Sequence, residues 1–404
     1  MGWRRTFATL EIPEYRTLWW GMIASFVAMQ MNIVARGYLA YDISGSAAAL
    51  GLVSLAWGLP MLAFSLVGGA VADRMRKRDI LIQSQVAMGV LALINAVLVH
   101  LGVIEIWHLV VLGLGQGTVF AFNMPARSAI IPEIVGHDRL QNAFALNNAG
   151  MNMSRIVGPA VAGGLISIPF FGMTGTFYLM AALYVVVLGS LLLLPKGKAP
   201  ERVKAPMLED IAAGFIHIRR NEVLLMLMSM AFVPVLFGMP YQTLMPVFQK
   251  DVLHVGSLGL GLLLGATGVG ALVGSLFVAS LEDGRMRGQI QLVMGLSFGV
   301  SLVIFAAMQS FVLALIAIGL VGLVSSAYMS LNQTMIMSYT EEDYYGRVMS
   351  VYMMTFSLMP LSAMPMGLLA DSVGAPLTVA GAAALIVLFM AGLAFLVPGY
   401  RRIQ

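Results

Sequence analysis

Ser25, Met29, Asn32 and Arg36 follow one another at steps of four, three and four, so in a helix they share one face. Asn148, Asn152 and Arg155 repeat that arrangement further along. Both sets interrupt runs that are otherwise apolar. A guanidinium offers five donors and no acceptor, and no aspartate or glutamate occurs in the middle of any of these runs to neutralise it. An anionic or electron-rich ligand would supply the missing partner. A structural account competes with this one: Arg36 reaching Asp42, and Arg155 bonding helix carbonyls. Further polar residues set into apolar runs are Gln116, Thr118 and Asn123, then Tyr241, Gln242 and Thr243, then Ser326, Tyr328, Asn332 and Gln333.

Such residues suit recognition better than bond-breaking. His100, Glu105 and His108 straddle a short loop, but their spacing matches no standard metal site. Cysteine is absent, which excludes disulfides and thiolate chemistry, and there is no phosphate-binding G-x-x-x-x-G-K-[ST] segment. An enzyme, a resident cofactor and a metal centre are therefore not expected.

The elements that must carry these groups are dictated by composition. The chain has a mean hydropathy of +0.89, with 59% hydrophobic and 10% charged residues, against about a quarter charged in soluble domains. Twelve apolar runs are long enough to cross a hydrocarbon core, at about 20 residues each. They cover residues 18–41, 47–72, 80–103, 108–131, 140–166, 173–195, 222–249, 257–281, 289–308, 310–337, 346–369 and 376–398. With no water to satisfy backbone groups in lipid, each must be a helix, and the runs are too long and too uniformly apolar for barrel strands. The predicted fold is an all-α integral membrane protein of twelve transmembrane helices. The first of them is too long for a cleaved signal peptide and lacks a small-residue cleavage site.

Lysine and arginine partition to one side. Arg4, Arg5 and Arg16 precede the first span, Arg74 to Arg78 follow the second, Lys196 to Arg220 follow the sixth, and Arg401 and Arg402 follow the last; Lys250 alone falls on the other side. Both termini are expected in the cytoplasm, and the +4 formal charge reflects orientation rather than nucleic-acid binding. The polar segment 196–221 is read as a linker between residues 1–195 and 222–404. Met207, Ile211, Phe215 and Ile218 give its second part the face of an interfacial helix.

The two parts repeat. Gly69 to Arg78 ends the second span, and a worn copy, Glu282 to Arg287, ends the eighth, with Asp73 and Asp283 separated by 210 positions (283 − 73). At that offset Gly51 falls on Gly261 and Gly58 on Gly268. Two similar sets of hydrophobic spans are the layout of a secondary transporter.

Gly69, Asp73, Arg74, Lys77, Arg78 and Leu81 resemble the loop 2-3 signature of the major facilitator superfamily, with Val71 and Arg76 departing from it. Pro125 to Glu133, Ser154 to Gly163 and Gly346 to Ser350 look like the branch that holds the enterobactin exporter and macrolide efflux proteins. The resemblance implies two pseudo-symmetric six-helix bundles. It implies a conformational latch made by Gly69, Asp73, Arg74, Lys77 and Arg78, with Arg127 and the start of span 11 at Gly346 as partners. It also implies a cavity lined by spans 1, 4, 7 and 10; with the polar face of span 5 added, Asn32, Arg36, Gln116, Asn123, Asn152, Arg155, Tyr241, Gln242, Tyr328 and Asn332 are candidates for substrate binding. Gly158-Pro159 resembles the antiporter signature of exporters, with Ala162 replacing a glycine, and Pro365 stands opposite Pro159 (365 − 159 = 206) as a second bend. The span 4 motif R-x-x-Q-G survives only as Gln116-Gly117, with Gly113 in place of the arginine, which weakens the usual proton exchange; Asp42 becomes the coupling candidate.

Thirty-one methionines favour a bulky apolar cargo over a sugar. The expectation is a monomeric exporter in a bacterial inner membrane, moving a small hydrophobic or anionic, siderophore-like substrate by alternating access with protons as the driving ion. A lipid or lysolipid flippase of the same fold and a non-transporting membrane sensor are the alternatives. Membrane lipid is an expected partner and nucleic acid is not.

Overall fold

The computed structural model describes residues 8–136, 138–195, 207–281, 287–341 and 344–396. Among these the regular structure is helical throughout. The first half of the chain forms α1 (Pro13–Ser44), α2 (Ala47–Arg74), α3 (Lys77–His100), α4 (Ile106–Val135), α5 (Leu140–Ser167) and α6 (Gly172–Leu192). After the linker come α7 (Met207–Arg220) and α8 (Glu222–Val233), then α9 (Ser257–Ala279), α10 (Arg287–Ala306), α11 (Phe311–Ser338), α12 (Tyr345–Ser357), α13 (Met359–Val373) and α14 (Ala375–Leu396).

Polarity in these helices runs opposite to that of a soluble protein. On α3, Val86, Val90, Leu93 and Val97 form an exposed stripe, while Ser84, Gln85 and Asn95 are buried. Lipid solvates the first set, whereas the second set finds bonds only inside a bundle. Eleven helical stretches among the described residues have membrane-spanning length and hydropathy. The predicted fifth span, α5, is long enough at 28 residues but is diluted by Asn142, Asn147, Asn148, Asn152 and Arg155.

Two expected spans are not single α-helices. The seventh is regular only as α8, capped by the Asn221 side chain, which accepts from the Val223 and Leu224 amides at 3.1 and 3.2 Å. Beyond it residues 234–252 pass through π, 3-10 and short α turns. Pro234, Pro240 and Pro246 recur every six residues there, and each removes a backbone donor that an α-helix needs. The eleventh span breaks at Leu358, where α12 ends and α13 restarts with Pro360 in its first turn.

The described residues fall into two compact units. The first takes the chain up to Ser44 and from Ala56 to Ala205; the second takes Gly45–Leu55 and everything from Pro206. Helix α2 thus begins in the second unit and ends in the first. In the first unit α1 packs on α5 and α6, and α3 on α4 and α6. In the second, α9 packs on α11 and α10 on α14.

The internal repeat is visible in backbone contacts. Helices α2 and α9 start 210 positions apart, at Ala47 and Ser257. A Cβ on Gly117 would lie 1.9 Å from the Trp57 carbonyl oxygen, and one on Gly322 would lie 2.1 Å from that of Thr267. Thr267 is Trp57 shifted by 210, and Gly322 is Gly117 shifted by 205. Each unit therefore holds its second and fourth spans at a distance that only glycine permits.

Helix α7 covers the predicted interfacial segment. Gly214 is seated against the Arg347 backbone of α12 and Ile218 is buried, while Phe215, expected on the face of an interfacial helix, is exposed beside Ile216. His217 stacks on Tyr344 at 4.1 Å between ring centroids.

Candidate functional site

Within the first unit, two residues expected to bind substrate are brought together. The Arg36 guanidinium on α1 donates to the Gln116 side-chain oxygen on α4 at 3.4 Å. Gln116 is buried and Arg36 half-buried, and among the described residues no carboxylate pairs with Arg36. Asn32, one turn before Arg36, and Asn123, two turns after Gln116, are also buried, and the Asn123 amide nitrogen has no partner. Helix α4 packs on α1 here, and Gly117, beside Gln116, touches α2 without a side chain. The cluster therefore carries one full positive charge and unsatisfied donor capacity, which suits an anionic or electron-rich group.

On α5, Asn152 is half-buried and Arg155 is exposed and engaged with another group. Gly158 lets α5 meet α1 closely, since its Cβ would fall 2.4 Å from that of Gln30, and α5 continues as helix through Pro159. Pro365 likewise lies inside α13. Asp42 is exposed near the end of α1 and has a partner.

The second unit places its candidates differently. Tyr241 and Gln242 occupy the 3-10 turn created by Pro240, Tyr241 buried and Gln242 half-buried. Tyr328 is fully buried and donates its hydroxyl to the Met230 carbonyl at 2.7 Å. Asn332 is also fully buried and accepts from the Gln291 amide at 2.5 Å. Gln291 was not singled out from the sequence. The half-chain repeat is the signal that finds it, because Gln85 of α3 lies 206 positions earlier (291 − 85), the offset of the two prolines.

Gln85 belongs to a polar knot in the first unit. Arg127 is 5% exposed, donates to the Ser25 hydroxyl at 2.8 Å and lies over the Phe26 ring at 4.4 Å, while the Gln85 amide reaches the same hydroxyl at 3.4 Å. The Arg127 Nε and the Gln85 side-chain oxygen are left without partners. Arg127 was expected beside Asp73; here its contacts are Ser25 and Phe26, and the Asp73 side chain lies outside the described residues.

Two of the loop 2-3 cations, Lys77 and Arg78, are tied to their own unit. Lys77 meets the Glu133 carboxylate at 3.0 Å. Arg78 donates to the Leu191 and Leu192 carbonyls at 2.9 and 2.8 Å, satisfying carbonyls left open at the end of α6. Arg74 is exposed, Gly69 is half-buried and Gly346 is exposed. The copy at Glu282 to Met286 lies outside the described residues. Glu105 and His108 cap the start of α4 reciprocally, the Glu105 amide donating to His108 Nδ1 at 3.0 Å.

Paired sets of spans with matching internal contacts, and buried polar groups such as Asn32, Gln116, Asn123, Arg127, Gln291 and Asn332 inside them, are the make-up of a major facilitator transporter. Within that class the chain belongs to the transmembrane secretion effector family, whose model matches residues 4–402. It is 23% identical over 381 residues to the macrolide efflux protein A of Streptococcus pyogenes, covering 89% of this chain and 90% of that one. It is 24% identical over 339 residues to the enterobactin exporter EntS of Shigella flexneri, covering 83% and 80%. Among solved structures, a POT family transporter in complex with 5-aminolevulinic acid superposes with a TM-score of 0.75 at 11% identity, covering 96% of each chain. The nucleoside transporter NupG gives 0.71 at 12% identity, covering 97% of this chain and all of that one.

Proposed function

We propose that the chain exports a small hydrophobic or siderophore-like molecule across a bacterial inner membrane by alternating access, with protons as the coupling ion and both termini in the cytoplasm. The observation that carries the reading is the Arg36–Gln116 pair, a guanidinium held within the spans by a neutral partner. A half-buried cation within the spans, without a carboxylate, is costly unless a ligand or solvated path uses it. In this proposal Arg36, Gln116, Asn32 and Asn123 hold the electron-rich part of the cargo, and Tyr241 and Gln242 are substrate-binding candidates within the second unit. Arg155 and Asn152 flank its route, while Tyr328 and Asn332 position neighbouring side chains. Asp42 is the coupling carboxylate. Loop 2-3, through Asp73, latches the inner side. The two relatives named above, an efflux protein and an exporter, favour outward movement of a bulky cargo.

Efflux from a pump-deficient bacterial strain tests this, with a panel of macrolides, hydrophobic dyes and catecholate siderophores measured with and without a protonophore. One or more cargoes should leave faster with the chain present, the protonophore should abolish the gain, and Arg36→Gln should reduce it at least tenfold at equal membrane abundance. No gain for any cargo, combined with flux of fluorescent lysolipid in vesicles, would replace export by lipid flipping. A gain that Arg36→Gln leaves intact would remove the assignment of the site.

A further inference from the structure

The start of α2 is held by a residue far away in sequence. The Asp371 carboxylate, in the last turn of α13, accepts from the Ser46 hydroxyl at 2.6 Å, the Ala47 amide at 2.6 Å and the Ala48 amide at 3.0 Å. These amides belong to the first turn of α2, where backbone donors have no partner within the helix and the dipole favours an anion. Beneath the carboxylate the two helices touch through backbone. A Cβ on Gly367 would fall 2.4 Å from the Ala47 carbonyl oxygen, and one on Gly51 would fall 2.6 Å from the Met364 Cα. Ala47, Leu50, Val53, Ala363 and Met366 are buried around this contact, whereas Asp371 itself is exposed.

Both partners lie within the second unit, which includes Gly45–Leu55 although the rest of α2 belongs to the first. The internal repeat does not impose the contact. At the offsets that relate the halves, Gly256 corresponds to Ser46 (256 − 46 = 210) and Leu165 to Asp371 (371 − 165 = 206). Helix α9 accordingly starts at Ser257, with Gly256 before it and no side-chain cap. One copy of the start has acquired a hydroxyl and a carboxylate that the other lacks.

We propose that Asp371 is a releasable clamp. It fixes residues 45–55 on α13 in this conformation and must let go for them to leave the second unit during the transport cycle. A buried carboxylate would make the contact permanent, because separating it would strand a charge; an exposed one exchanges its three donors for water and can re-form them. The small residues below make the contact close, and the charge at its rim sets how long it lasts. This rests on the alternating-access reading, but its test needs no cargo.

The chain contains no cysteine, so Leu50→Cys gives a single buried thiol under the clamp. Its reaction with a maleimide is timed in purified full-length protein in nanodiscs. Asp371→Asn, which keeps the shape and removes the charge, should raise the labelling rate about tenfold, equivalent to about 1.4 kcal/mol in the opening equilibrium. Ser46→Ala should raise it about threefold. The same substitutions should leave the rate at Ala96→Cys, buried in the first unit, within twofold of its parent. Rates at Leu50→Cys within twofold of parent in both variants overturn the clamp, as does an equal rise at Ala96→Cys, which would mean general loosening. If the Asp371→Asn protein does not purify, Ser46→Ala decides alone by the same thresholds. Increased labelling with no flux for any cargo would remove the export reading and keep the clamp; normal flux with unchanged labelling would do the reverse.

Discussion

Lys77 and Glu133 join the start of α3 to the end of α4 at 3.0 Å, with their side chains 13% and 34% exposed. Lys77 is the first residue of α3, where a cation opposes the helix dipole, so the carboxylate offsets an unfavourable placement. For a pair this close to water, the coupling energy from a double-mutant cycle of Lys77→Met and Glu133→Gln should be about 0.5–1 kcal/mol. It should shrink as salt is raised to about 1 M. Thermal melting in detergent reads both quantities, and a coupling indistinguishable from zero at low salt would show that the pair merely sits in a solvated loop.

Gly117 and Gly322 make a matched prediction across the two units. Either glycine changed to alanine drives a methyl into a backbone carbonyl, so a whole span must move, at a cost of about 1–3 kcal/mol. Gly164→Ala and Gly189→Ala, with nothing within 4 Å of the new carbon, should melt like the parent. Size-exclusion profiles of detergent extracts after a temperature series separate the two classes.

The helical spans were legible from hydropathy because lipid allows so few backbone solutions, and most predicted boundaries lie within a few residues of the helix ends. Span 7 was legible only in part. Its run is apolar throughout, and the prolines at 234, 240 and 246 that disrupt it leave hydropathy unchanged. The Arg36–Gln116 pair was half legible. The spacing put Arg36 on a polar face, but that Gln116 is its partner depends on the packing of α4 on α1, which spacing along one helix does not reveal. The partners of Asp371 and Glu133 escaped notice because a carboxylate at a helix end reads as an ordinary boundary residue until its distant partner is known. Gln85 and Gln291 were recoverable from the repeat, had its offset been applied to polar residues as well as to glycines and prolines.

Asp73 falls in the last turn of α2, where the carbonyl end of the helix dipole disfavours an anion. Asp73→Asn should therefore melt no lower than the parent, and up to about 1 kcal/mol higher in stability, while efflux falls at least tenfold at equal membrane abundance. Efflux at the parent rate in that variant would remove the latch role proposed for loop 2-3.

Arg127 poses the sharper test of function against stability. Its charge is buried, it has a hydroxyl and an aromatic ring for partners, and Nε is unsatisfied. Among the described residues no carboxylate would be stranded by its removal, so replacement by an apolar side chain of similar length relieves desolvation rather than breaking a pair. Arg127→Met should accordingly melt at or above the parent temperature. Arg127→Ala, which leaves a cavity beside Phe26 and loses the packing of the stem, should cost about 2–4 kcal/mol. A guanidinium kept where it destabilises the fold is expected to serve a different conformation, so Arg127→Met should also slow efflux at least tenfold. Thermal melting and efflux measured on the same membrane preparations decide the matter: a stable Arg127→Met protein with full transport would show that the charge serves no step of the cycle. A marked drop in its melting temperature would show instead that Ser25 and Phe26 hold the arginine as part of the first unit's core.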